Sequence, residues 1–180
     1  MRPTTTTLTV TILTTLSTLL AAAGCHQPCG GCTDFESCQP ATMSCVVNPG
    51  ARFDLVAVDG HVDDSNRTLT DGLPNPEVCV ALGSSQKCAA VQVLSYSPRW
   101  QQTLFSALDG ALLLSTPLPV TYTDKGLFHD VDICHGSVPL VERYLHDGGF
   151  RFNCNNGSYV SFSLKNVARG AATSDGGGSD

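Results

Sequence analysis

Nine cysteines in 180 residues constrain this chain more than any other feature. They fall into three sets: Cys25 alone; Cys29, Cys32, Cys38 and Cys45 close together; and Cys79, Cys88, Cys134 and Cys154 spread over the remainder. The close set, CGGCTDFESCQPATMSC, has too few apolar side chains to build a core, and predicts a two-disulfide staple formed in an oxidising compartment. Its spacings do not give the paired Cys-x-x-Cys knuckles of structural zinc. Cys29-Gly-Gly-Cys32 also has no βαβ unit around it to support redox catalysis. Which of these four pairs with which is left open. Cys79 and Cys88 flank a stretch in which Gly83-Ser84 suits a two-residue hairpin turn. Counting outward from that turn puts 79 opposite 88 at a non-hydrogen-bonded position, where a cross-strand disulfide is feasible. Cys134 and Cys154 then pair by elimination.

Eight cysteines pair and one is left over. The N-terminus accounts for it. After Arg2 there is no charge until Asp34, and residues 8 to 23 are apolar, diluted by threonine and ending in small residues. That is the layout of a secretory signal rather than of a membrane span, which needs about 20 predominantly apolar residues. Leu-Leu-Ala-Ala-Ala-Gly-Cys (19 to 25) resembles a bacterial lipobox, which implies acylation of Cys25 and a lipoprotein signal over 1–24. His26 after Cys25 is compatible with sorting to the outer membrane of a Gram-negative cell. The expected localisation is therefore the cell envelope, with the membrane as a partner through the N-terminal lipid.

Segment 25–50 is then the stapled cysteine-rich stretch. Beyond it, short apolar or alternating runs alternate with turn residues: 53–58, 78–82, 89–94, 100–105, 118–122, 150–154 and 159–164. Only 107–114 suggests a helical turn. The predicted fold class is all-β, an antiparallel β-sandwich of about eight strands over 51–168. Trp100 is expected in its core. The Gly- and Ser-rich tail 169–180 is expected to be disordered.

Three islands in order resemble the C2 domain, a β-sandwich module that often binds calcium and phospholipid. They are Leu73-Pro74-Asn75-Pro76-Glu77-Val78-Cys79-Val80; Leu94-Ser95-Tyr96-Ser97-Pro98-Arg99-Trp100-Gln101; and Leu118-Pro119-Val120-Thr121-Tyr122-Thr123-Asp124 with Asp130-Val131-Asp132-Ile133. The resemblance implies a calcium site from two loops: Asp71 and Asn75 in the first, Asp124 with Asp130 or Asp132 in the second. Asn75 stands where the family has an aspartate, so the set is poor in carboxylates for an ion that takes about 6–8 oxygens. The resemblance also implies apolar or basic loop tips for phospholipid. Leu127 and Phe128 lie at that place, although packing beneath the loop is the favoured expectation for them.

Composition narrows the partners. The chain carries 10 Lys and Arg against 16 Asp and Glu; without Arg2 this becomes 9 against 16, a net charge of −7. No basic stripe offers a footprint for nucleic acid, and no polybasic cluster draws the chain to anionic lipid. His129, Asp130, Asp132 and His135 hold donors that suit zinc, but their spacing matches no zinc motif. No Gly-x-Ser-x-Gly or His-Glu-x-x-His is present, and His146-Asp147 reads as a turn. The expectation is a non-enzymatic binding or display protein, with calcium as its candidate ligand and phospholipid or a surface protein as its partner. The alternative is a structural or interaction domain whose metal loops have decayed.

Overall fold

The run Phe53 to Val58 is apolar almost without a break, as a strand covered on both faces requires. In the computed structural model, which describes residues 29–63 and 72–167, this run is the middle of a central strand. The elements in order are β1 (Glu36–Gln39), β2 (Ser44–Val47), β3 (Arg52–His61), β4 (Pro76–Leu82), β5 (Ser85–Cys88) and β6 (Arg99–Asp109). Then follow α1 (Gly110–Ser115), β7 (Leu118–Asp124), β8 (Val131–Val138), α2 (Glu142–His146), β9 (Gly149–Asn153) and β10 (Tyr159–Val167).

Two four-stranded antiparallel sheets, β6-β3-β10-β9 and β5-β4-β7-β8, pack face to face. This is the all-β sandwich that the alternation predicts. Its core is made by alternate residues of facing strands: Phe53, Leu55 and Ala57; Val78 and Val80; Val120 and Tyr122; Val160, Phe162 and Leu164. Trp100 joins them, and its indole donates to the Ala90 carbonyl at 2.9 Å. That bond and the one from the Ala90 amide to Gln102 Oε1 (2.8 Å) tie the sheets together along the β5/β6 edge. The Cys134–Cys154 disulfide, with Cα atoms 5.8 Å apart, ties the β8/β9 edge.

The β4–β5 hairpin has the register expected from its turn. Gly83 takes φ +60°, a conformation open to glycine without strain, and Cys79 pairs with Cys88 across 4.0 Å between Cα atoms. The close set resolves as Cys29–Cys38 and Cys32–Cys45, clamping the β1–β2 hairpin. Phe35 meets Phe53 edge-on at 5.1 Å, so this hairpin packs where β3 begins.

Several local expectations differ from the structure. Residues 89–94 are apolar but form no strand. They run beside the start of β4, where Gln92 and Ser95 donate to the carbonyls of Pro76 and Pro74. Neither proline has an N–H to return the bond, so no ladder forms. Residues 131–138, read as loop and linker, are strand β8. His146 ends helix α2, so only the following Asp147-Gly148 makes the turn. The helical turn near 107–114 is α1, displaced to Gly110–Ser115 and capped by the Asp109 carboxylate. The expected signal 1–24, Cys25, Asp71 and the tail 169–180 lie outside the described residues.

Candidate functional site

Four elements end at one pole of the sandwich: β3 leaves at His61, β4 begins at Pro76, β7 ends at Asp124 and β8 begins at Val131. Between them lies a cleft of about 750 Å³, lined by Asp63, Asn75, Asp124 and Asp132 among others. Asp63 was not among the expected ligands. The strand run before it extends past Val58 to His61, and an acidic residue just beyond a strand exit is the signal that marks it. Its amide donates to Ser158 Oγ at 2.9 Å, which fixes it against the β9–β10 loop.

Asn75 holds the pole together. Its amide donates to Asp124 Oδ1 at 2.7 Å and its carbonyl accepts from the Lys125 amide at 2.9 Å. Its side chain donates to the Lys125 carbonyl (3.1 Å) and accepts from the Leu94 amide (3.0 Å). An aspartate could not make the donating bond, and would set a second carboxylate against Asp124, which is 8% exposed. The asparagine is therefore a cross-loop clamp, and its side-chain oxygen is already committed to Leu94.

The remaining expected ligands also have partners. Asp130 is paired with the Lys125 ammonium, which lies 3.7 Å from Glu77 as well. Asp132 meets His135 Nδ1 at 2.6 Å. A bulge allows this second contact: Tyr122 pairs with Cys134 but Thr123 with Asp132, leaving Ile133 as the extra residue. Residues three apart on a regular strand face opposite ways, and the bulge restores them to one side.

Asp124 and Asp132 thus line the cleft with Asn75, whereas Asp130 is drawn out of it to Lys125. Among the described residues the only trio of metal-type donor atoms within 4.8 Å of one another is Glu77, Cys79 and Cys88, whose cysteines are joined in a disulfide. The oxygen donors suit a hard cation in kind, but as placed they do not fit a calcium cage of about 6–8 ligands. Nor do His129, Asp130, Asp132 and His135 converge as a zinc set.

The β7–β8 tip corrects one expectation directly. Leu127 and Phe128 do not pack beneath the loop; they are 98% and 97% exposed. Gly126 makes the turn possible, because a side chain there would collide with the His129 carbonyl. The tip is consequently a tight turn with two apolar side chains at its apex. Leu73, Val93 and Leu94 add exposed apolar surface from the neighbouring loops.

No family model and no curated protein sequence matches the chain. Among solved structures it is similar to a region of extended synaptotagmin-2 that joins an SMP domain to two C2 domains. The TM-score is 0.50, with 13% identity over 66% of this chain and 27% of that one. It is also similar to CC2D1B, with a TM-score of 0.50 and 13% identity over 64% of this chain and 55% of that one. The chain therefore spans about a quarter of the first and about half of the second. At this identity the likeness is one of architecture, and the architecture is that of a C2-like β-sandwich.

Proposed function

We propose that this chain is a lipid-anchored, extracytoplasmic, non-enzymatic binding protein whose C2-like sandwich docks its loop pole on a phospholipid surface. The observation that carries this reading is the pair Leu127 and Phe128, both almost wholly exposed at the apex of the β7–β8 turn. Two adjacent large apolar side chains held in solvent by a tight turn gain free energy only when something covers them. Covering both is worth about 3–6 kcal/mol, against about 4.1 kcal/mol for a millimolar dissociation constant. Such a tip docks weakly and reversibly by itself, and works best on a chain already held near a surface. An acylated Cys25 supplies that tether, and His26 fits retention in an outer membrane. The acidic chain and the neutralised Lys125 leave charge no part in the attraction, so phosphatidylcholine serves as well as an anionic lipid.

The test is co-sedimentation of the Cys25→Ser chain with phosphatidylcholine vesicles. Binding is expected, and replacing both Leu127 and Phe128 by Asn should weaken it by roughly tenfold or more with the melting temperature unchanged. Equal binding by the double variant, or no binding by the parent, would sink the lipid reading and leave the protein-interaction alternative.

A further inference from the structure

Lys125 makes two kinds of contact that together do a cation's work. Its backbone pairs with Asn75 through two bonds, extending the β4–β7 ladder one rung beyond Pro76 and Asp124. Its ammonium reaches across the turn to Asp130 and back to Glu77 on β4. Glu77 alternates with the buried Pro76 and Val78, so this pairing lies on the outer face of the sheet, away from the cleft. Calcium bound between two acidic loops would neutralise carboxylates and cross-link the loops. Here an amino acid of the chain neutralises Asp130 and Glu77 and bridges the two ends of the turn. The ammonium is held protonated above the usual lysine range, chiefly by its bond to Asp130.

We propose that Lys125 is the resident cation of this pole: it closes the β7–β8 loop on β4 and keeps Leu127 and Phe128 presented, so docking needs no calcium. The inference rests on the docking reading of the same loops, and it deepens that reading by specifying the regulation of the site.

Two readouts on the Cys25→Ser chain test it. The first is the melting temperature with chelator and with calcium at about 1 mM, where weak extracellular calcium modules fill. Wild type should show no shift. Lys125→Met releases Asp130 and Glu77, and should melt lower in chelator and gain stability from calcium, since a ligand bound only by the native state raises stability. Lys125→Gln answers the same question if the methionine variant does not fold. A calcium-dependent rise in wild type, or none in a folded Lys125 variant, overturns the proposal. The second readout is binding to phosphatidylcholine vesicles, expected to be equal in chelator and in calcium. Binding that appears only with calcium overturns the resident-cation proposal. Binding in neither condition sinks the docking reading and leaves the melting data to decide the role of Lys125.

Discussion

Tyr122 and Asn75 show how much a single side chain decides near the loop pole. Tyr122 is fully buried, stacked edge-on to Trp100 at 6.2 Å, and among the described residues its hydroxyl has no hydrogen-bond partner. Burial and the nearby Asp124 push its ionisation far above the ordinary range, so the hydroxyl stays neutral and unpaired. A buried donor without a partner costs about 1–3 kcal/mol. Tyr122→Phe removes that cost while keeping the ring, and should leave stability unchanged or raise it by about 1 kcal/mol. Chemical denaturation decides this; a loss of stability would mean the hydroxyl is satisfied in solution. For Asn75 the argument runs the other way. A sequence shows an amide where a carboxylate was expected and invites the reading of a weakened ligand. Only the fold shows that both ends of that amide are needed to join three loops. Leu127 and Phe128 were likewise visible as apolar residues at a tip, but whether a tip folds under or stands out depends on the room left by Gly126 and His129, which no local pattern encodes.

Elements whose geometry is closed locally were legible in the sequence. The β4–β5 hairpin is set by one glycine turn, so its register and its disulfide followed from counting. The central strand β3 announced itself by continuous apolarity. Strand β8 did not, because Asp132, Cys134, His135, Gly136 and Ser137 show no apolar alternation. It is an edge strand held by β7 and by the disulfide to Cys154 rather than by a buried face. The stretch 89–94 misled for the opposite reason, since its apolar side chains lie partly exposed beside two prolines. The contact between the β1–β2 hairpin and α2 was also invisible, because its partners are 110 residues apart. There the Glu36 carboxylate, almost wholly buried, accepts from Thr33 and lies 3.0 Å from His146 Nδ1. Burial alone would raise Glu36, but the Thr33 and His146 bonds outweigh it and hold it below its ordinary value. His146 is raised, first by its bond to Glu36 and also by the charges of Glu36 and Asp147. The histidine contribution is therefore fully present below about pH 6.5 and lost as pH rises through its raised value. The glutamate contribution is present above about pH 4.3 and lost as pH falls through its lowered value. The hairpin should be held best between those limits. The melting-temperature advantage of wild type over His146→Gln should shrink from pH 6 to pH 9. An advantage that is constant or grows over that range would contradict the pairing.

At the scale of the whole molecule the two poles of the sandwich face different things. The β1–β2 hairpin packs where β3 begins, beside Phe53, and β10 finishes at the same pole, with Val167 opposite Arg52. The apolar tip stands at the other pole, where β3 ends. Ten residues of β3 separate them by about 30 Å. The four steps from Cys25 to Cys29 span at most about 14 Å in any conformation, too short to carry an anchor around the sandwich. A chain acylated at Cys25 would therefore hold Leu127 and Phe128 away from its own membrane and offer them to a second surface. Vesicles carrying the acylated protein should capture protein-free phosphatidylcholine vesicles, read as a rise in light scattering. The capture should vanish when Leu127 and Phe128 are both replaced by Asn. If the soluble chain binds vesicles yet the anchored chain clusters none, the tip is reaching its own membrane, and the opposition of the two poles does not set its direction of docking.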